Sequence, residues 1–203
     1  MIIDLTSLSS NQVYFSLIQT VIPRPIAWVL SDNGDGSHNL APFSYFNAVA
    51  SDPPLIMVSI GKKPDGSPKD TRENIERRKH FVVHIAHREL LESLNETSRS
   101  LPAGESELER VALDLVDFDG FALPRISQCR VALACELYSS QQLGKDQLMI
   151  LGRVQKIHVA DEACETDARG RSRIRADIID PLGRLGADEY CAMGDVITLK
   201  RPA

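Results

Sequence analysis

Several sequence patterns that would assign a chemistry directly are missing from this chain. Neither GxGxxG nor GxxxxGKS/T occurs, so a Rossmann nicotinamide site and a P-loop have no support. GxSxG and HExxH are also missing, which removes the usual signatures of α/β-hydrolases and zinc peptidases. The cysteines form no CxxC pair and match no zinc spacing; they are Cys129, Cys135, Cys164 and Cys191. We therefore expect no metal site and no redox-active cysteine.

An excess of positive charge and a long apolar run are missing too. The formal net charge is −5, so no global positive field would attract a nucleic acid or an anionic membrane. The apolar segments are far shorter than a membrane span, and the N-terminal MIIDLTSLSS has no basic n-region of a signal peptide. We expect a cytoplasmic protein with neither a nucleic-acid nor a membrane partner.

The order of apolar segments and turn residues predicts a mainly β fold. The 203 residues contain no clear linker or repeat, which predicts a single domain over 1–203. Short β-branched runs predict strands, at 26–30, 55–60, 80–86, 129–138, 147–161 and 195–201. Period and capping signals predict helices, at 11–21, 71–79, 88–97 and 105–113. Many strands with few helices between them indicate a β-barrel with peripheral α-helices.

The segment KDTRENI, residues 69–75, suggests an anion site at the start of a helix. Free backbone N–H groups there favour an anion, and Lys69 and Thr71 can add a charge and a hydroxyl donor. Asp70 would repel a phosphate, so we expect it to cap the helix, with Glu73 completing a variant of the capping box. From these residues alone, an ordinary capped surface helix is the commoner explanation.

The segment NLAPFSYFNAVAS, residues 39–51, combines aromatic, hydroxyl and amide side chains. Phe43, Tyr45 and Phe46 can pack on a planar ring such as that of a flavin, and Ser44 and Asn47 can bond its polar edge. Burial of the same aromatics in an ordinary core is the more frequent arrangement.

The histidines and a run of arginines each allow more than one interpretation. In HFVVHIAH, His80 and His84 share one face of a strand whereas His87 points the other way, which favours surface histidines over a metal site. RGRSRIR, residues 169–175, places arginines at alternate positions and so on one face of an extended chain. That face suits the 2′-phosphate of NADPH, although a solvated loop or an arm pairing with acids of a partner subunit is commoner.

Taken in order, the segments of this chain resemble those of a known family. They are PRPIAWVLS, NLAPFSYFN, SDPP, KDTRENI, FVV, LNETS, ESELE, LGRVQKIHV, PLGRLGADEY and KRP. The chain resembles the FMN-binding split-barrel flavoproteins of the flavin reductase-like family. Its branch includes flavoredoxin-like proteins and the NADH:FMN oxidoreductase components of two-component monooxygenases.

The resemblance implies a Greek-key split β-barrel, a homodimer and one FMN per subunit near the dimer interface. It also implies a set of residues that line the flavin or its phosphate: Ser31, Ala41, Pro42, Phe43, Ser44, Tyr45, Phe46, Asn47, Ser59, Lys69, Asp70, Thr71, Asn74, His158 and Arg184. Arg184 is the candidate for a positive charge near the flavin, and no catalytic acid or nucleophile is expected. Where the family writes EFVVN, this chain has HFVVH, and His84 is expected to affect access of the nicotinamide or substrate.

Three functions fit such a site. The first is an FMN reductase that takes hydride from NADH or NADPH and can serve a monooxygenase partner. The second is a flavoredoxin-type electron carrier that is reduced by a redox partner protein, and the third is a non-catalytic flavin-binding protein. Because one fold can support all three, the fold alone does not choose between them.

Overall fold

The computed structural model describes residues 1–167, 169–200 and 202, and this part of the chain is mainly β. The strands are β1 Arg24–Pro25, β2 Ala27–Asp32, β3 His38–Phe43, β4 Phe46–Ser51, β5 Pro54–Ile60, β6 His80–Ile85, β7 Leu115–Val116, β8 Arg125–Ile126, β9 Val131–Leu143, β10 Gln147–Val159, β11 Cys164–Thr166, β12 Ser172–Ile174, β13 Gly183–Arg184 and β14 Tyr190–Cys191. The α-helices are α1 Ser10–Thr20, α2 Asp70–Arg78, α3 Leu91–Glu96 and α4 Ala176–Ile179. Short 3₁₀ helices cover Leu5–Ser7, Arg88–Leu90, Glu107–Arg110 and Asp161–Ala163.

The main sheet has seven strands in the order β3-β2-β6-β9-β10-β5-β4, and every pairing is antiparallel. Its two edges, β3 and β4, are joined by only two residues, Ser44 and Tyr45. A flat sheet of this width would hold its edges about 29 Å apart, whereas such a connection spans about 10 Å. The sheet therefore curls until its edges meet without pairing, which confirms the predicted split barrel.

Two hydrophobic cores lie on the two faces of this curled sheet. Side chains alternate between the two faces of β2. Ala27 and Val29 pack in the core inside the barrel, and Trp28 and Leu30 pack in a second core outside it, beneath α3 and residues 113–126. Both faces of β2 are covered, which accounts for the continuous apolar run of its first four residues, 27–30. Inside the barrel, a Cβ at Gly152 would lie 2.4 Å from the Phe81 ring, so a side chain has no room there.

The first helix begins where its sequence predicts. The Ser9 hydroxyl and the Gln12 side chain form a capping box at the start of α1. Only part of this helix packs inward: Ile18 is buried, whereas Tyr14 and Phe15 are exposed. No helix of the described residues is both long and apolar enough to cross a membrane.

Three of the predicted local structures are wrong. Asp70 is not the cap of α2, since the helix begins one residue earlier with Lys69 as its N-cap and Asp70 instead pairs with Lys63 at 2.8 Å. Residues 105–113 form only the 3₁₀ helix Glu107–Arg110, because Glu107 turns inward to accept a hydrogen bond from the Leu40 N–H. Residues 195–200 form no strand, and Arg201 lies outside the described residues.

Candidate functional site

Three adjoining cavities lie at the end of β3 and together form a groove. Pro42 lines all of them. The Lys69 cavity, of about 90 Å³, is lined by Asn39, Ala41, Pro42, Lys63, Lys69, Asp70, Thr71, Thr97, Ser98, Arg99, Ser100, Leu101 and Glu107. The Tyr45 cavity, of about 250 Å³, is lined by Tyr14, Ile18, Pro42, Phe43, Ser44, Tyr45, Ser59, Gly61, Lys62, Lys69 and Gln147. The Arg184 cavity, of about 150 Å³, is lined by Ile26, Pro42, Phe43, Ser44, Ser98, Arg184 and Tyr190. We call them together the β3 groove.

The Lys69 cavity can hold an anion because it combines a helix N-terminus with a half-buried ammonium group. Lys69 has extended backbone angles at the N-cap of α2 and makes no side-chain capping bond, so the first N–H groups of the helix lack a side-chain cap. Burial lowers the pKa of Lys69, and the nearby Glu107 opposes that shift. A bound anion would likewise stabilise the charged form of Lys69 and raise its pKa.

Thr71 presents a hydroxyl that is already oriented. Its side chain is buried, and its Oγ1 accepts a hydrogen bond of 2.8 Å from Asn39 Nδ2. Because a hydroxyl carries one proton and two lone pairs, the Thr71 proton remains available to an acceptor in the cavity. Asn39, which orients Thr71, was not among the predicted site residues.

Two carboxylates line the same cavity, and their surroundings differ. Asp70 is paired with Lys63, whose ammonium group compensates its charge. Glu107 is almost fully buried and accepts a hydrogen bond of 2.9 Å from the Leu40 N–H. Burial raises the pKa of Glu107, so a proton is held there more readily than on an exposed glutamate. Neither Glu107 nor Lys63 was among the site residues predicted from the sequence.

The Tyr45 cavity offers aromatic surface beside polar side chains. Phe43 lies mostly in the barrel core, and the Lys69 ammonium is 5.4 Å from the centre of its ring. Across β5 and β10, Ser59 Oγ donates to Gln147 Oε1 at 3.2 Å. Gln147 was not predicted, because only the pairing of these two strands brings it to Ser59.

The Arg184 cavity ends the groove at the short strands β13 and β14. The Arg184 guanidinium lies over the Tyr190 ring, 4.3 Å from its centre, and donates to the Ala187 carbonyl. The stacking fixes the guanidinium as a cation–π pair. This end of the groove is therefore a small aromatic site with a half-exposed positive charge.

The structure brings ten of the fifteen predicted site residues to the β3 groove: Ala41, Pro42, Phe43, Ser44, Tyr45, Ser59, Lys69, Asp70, Thr71 and Arg184. The others line none of its three cavities. Ser31 in β2 and Asn74 in α2 are buried between the two elements, where Asn74 Nδ2 donates to Ser31 Oγ at 3.2 Å. Phe46 and Asn47 lie on the edge strand β4, with Asn47 exposed.

His158 lies at a different cavity of the described residues. This cavity, of about 560 Å³, also contacts His87, Arg125 and Arg130. Burial, together with Arg125, lowers the pKa of His158. Within one chain, His158 is therefore not part of the β3 groove.

The expectation of histidines on the surface of the strand is wrong for His84. It is completely buried, its Nδ1 lies 3.1 Å from the Trp28 carbonyl, and its Nε2 accepts a hydrogen bond of 3.0 Å from the Ile126 N–H. The two contacts require a neutral ring that is protonated at Nδ1. Because His84 is fully buried and both of its ring nitrogens bond to backbone groups, it does not line the β3 groove, so any effect on nicotinamide or substrate access would not come from direct contact.

The arginine run carries less free charge than its sequence suggests. Arg171 pairs with Asp167 at 2.7 Å, and Arg175 pairs with Glu165 and Asp177. These acids belong to the same arm, which contains β11 and β12. The positive charges of at least these two arginines are therefore balanced by acids of the same chain.

Comparisons with known proteins agree with one another. Residues 19–174 match the family model described as "Flavin reductase like domain". The protein YwrF of Bacillus subtilis is 36% identical over 201 residues, which are 97% of this chain and 96% of that protein. The crystal structure of nitrilotriacetate monooxygenase component B from Bacillus cereus superposes with a TM-score of 0.89 at 34% identity and covers 98% of both chains. The structure of 2-nitrobenzoate 2-nitroreductase from Pseudomonas fluorescens has a TM-score of 0.88 at 32% identity, and covers 100% of this chain and 96% of that one.

Proposed function

Because this chain belongs to the flavin reductase-like family, we propose that it is an FMN reductase that accepts hydride from NADH or NADPH. The observation that carries the proposal is Lys69, a half-buried cation at the uncapped start of α2 that opens into the β3 groove. A phosphate there meets the ammonium group, the Thr71 hydroxyl and free helix N–H groups. These donors suit the single phosphate of FMN.

The remaining cavities of the groove suit the flavin ring. Pro42 and Phe43 offer an apolar surface, and Ser44, Ser59 and Gln147 offer donors and acceptors for the polar ring edge. When FMN is bound, it supplies the hydride chemistry, and the protein has to bind, orient and tune it. The Tyr45 cavity is open on one side, and we propose that a nicotinamide approaches the bound ring from there.

The proposed reaction is tested by mixing FMN-loaded protein with NADH or with NADPH in a stopped-flow instrument under anaerobic conditions. Loss of the flavin absorbance with either donor, saturating with donor concentration, is the expected result. If dithionite reduces the bound FMN and neither nicotinamide does, the reductase proposal fails, and a flavoredoxin-type electron carrier or a non-catalytic flavin-binding protein remains. A monooxygenase partner that consumes the reduced flavin is part of this proposal, and the likeness to nitrilotriacetate monooxygenase component B supports it.

We also propose that the protein acts as a homodimer, with His158 of one subunit approaching the groove of the other. Exposed apolar side chains of the main sheet support this: Val49 in β4, Tyr138 in β9 and Ile157 in β10 are 52%, 47% and 60% exposed. Apolar exposure of this kind is typical of a protein–protein contact.

Sedimentation at micromolar concentration is expected to give a dimer that is stabilised by FMN, because a ligand of the folded dimer stabilises it by mass action. Val49→Glu combined with Tyr138→Glu should shift the protein towards monomer. Ile2→Glu, at an exposed apolar position near the N-terminus, is the matched control. A wild-type monomer with FMN bound would contradict the proposal.

A further inference from the structure

Arg24 is a buried cation without a carboxylate partner. Its side chain is 5% exposed. Its guanidinium donates to the carbonyls of Ile18, of Val21 at 2.9 Å and of Leu185 at 2.8 Å, and to Ser44 Oγ at 3.3 Å. All of these acceptors are neutral, and in the described part of the chain no ion pair includes Arg24.

Such an arrangement is unusual because burying a charge is costly, and buried cations are normally paired with an anion. An arginine cannot avoid the cost by losing its proton in a protein. The three carbonyls hold the guanidinium in one position between the end of α1 and the segment after β13. The positive charge is therefore fixed in place; the carbonyls at the C-terminal end of α1 offset part of it, and no carboxylate of the described residues pairs with it.

Ser44 connects this charge to the β3 groove. The Ser44 hydroxyl accepts from Arg24 Nε and lines both the Tyr45 cavity and the Arg184 cavity. An accepting hydroxyl keeps its own proton for a second partner, and a charged donor strengthens that second bond. The Ser44 hydroxyl thus offers the groove a donor that points away from Arg24 and is polarised by its charge.

Reduction of a flavin produces the kind of charge that this place would stabilise. A hydride brings two electrons and one proton, so the ring gains one negative charge unless it takes up another proton. A fixed positive group near the ring lowers the free energy of the reduced form more than that of the neutral oxidised ring.

We propose that Arg24, acting through Ser44, is the residue that favours reduced over oxidised flavin in this protein. The inference rests on the proposed function, since it requires FMN in the β3 groove. Arg184 is less suited to this role because it is half-exposed and stacked on Tyr190, and water screens a charge at the surface more than one inside the protein.

The test is the ratio of the dissociation constants for oxidised and reduced FMN, measured anaerobically by fluorescence and absorbance titration. For Arg24→Met we expect the preference for the reduced form to fall about tenfold to a hundredfold. For a two-electron couple this equals a midpoint potential about 30 to 60 mV more negative. Arg24→Lys should keep most of the preference, and Arg184→Met should change it less than about threefold.

A purely structural role of Arg24 would weaken both forms equally and leave the ratio unchanged, and that result would overturn the inference. Arg24→Met removes bonds to three carbonyls, so it can fail to fold. In that case Ser44→Ala decides, because it leaves those bonds intact: a loss of preference of about threefold is expected, and an unchanged ratio overturns the inference.

The same titrations separate this inference from the proposed function. If the wild-type protein binds FMN in neither oxidation state, both fail. If it binds both states and the Arg24→Met ratio is unchanged, only the role of Arg24 fails.

Discussion

Replacing Lys69 by methionine is expected to raise the dissociation constant for FMN about tenfold to a hundredfold. The ammonium group lies at the start of α2, where a phosphate would accept a charge-assisted hydrogen bond, and such a bond contributes about 1.5–3 kcal/mol. Affinity for riboflavin, which has no phosphate, should change little. Fluorescence titration of both flavins at one salt concentration measures the difference.

Three further variants make the Lys69 test specific. Lys62→Met removes a charge from the same groove, but from a lysine paired with Asp146 at 3.2 Å, so FMN should lose much less affinity. Asp70→Asn releases Lys63 from its ion pair and should leave FMN affinity unchanged or higher. Thr71→Val removes one neutral donor, worth about 0.5–1.5 kcal/mol. Equal losses of FMN and riboflavin in the Lys69→Met protein would show that this residue holds the ring or the fold instead.

The second large effect concerns His84 and the stability of the protein in acid. Burial lowers the pKa of His84 to about 4, and the hydrogen bond to Trp28 only partly opposes this. An unfolded chain protonates the same histidine near pH 6.5. Between these two values the unfolded state binds a proton that the folded state does not, so the free energy of unfolding falls as the pH falls. The loss from His84 amounts to about 3 kcal/mol once the pH is below 4.

His84→Asn removes this titration. At neutral pH the variant should be less stable by about 1–3 kcal/mol, because either the Trp28 carbonyl or the Ile126 N–H loses its partner. Towards pH 4 the two stability curves should converge or cross. Urea unfolding of both proteins at several pH values gives the two free energies of unfolding. Burial also lowers the pKa values of His38, His87 and His158, but both proteins contain them, so their contributions cancel when one free energy is subtracted from the other. Parallel curves would mean that His84 is not a buried neutral group.

The sequence was most reliable for helices and strands whose position depends on residues close to one another in the chain. The helix α1, the strand at 55–60 and the placement of Lys69 and Thr71 at a helix start all follow from local spacing. The error at Asp70 is a shift of one residue at the N-terminus of α2. The Asp70 carboxylate pairs with Lys63 in the preceding loop instead of capping the helix, and helix spacing alone does not show this pairing.

Features set by distant contacts were missed. His84 lies on a strand face whose covering segment is 42 residues away, so alternation alone could not show that the face is buried. Glu107 reaches Leu40 over 67 residues, and Gln147 meets Ser59 only through the pairing of β5 and β10. Arg24 stands between two prolines in an otherwise apolar segment, and this was the local signal that could have marked it as buried.

The flavin that accompanies or binds the purified protein tests the central claim most directly. Released by denaturation and identified by mass, it should be FMN, at one molecule per chain after loading, because the phosphate site that we propose at Lys69 and Thr71 is compact and suits a single phosphate. A protein that carries mostly FAD, or that binds no flavin after incubation with FMN, would contradict the account.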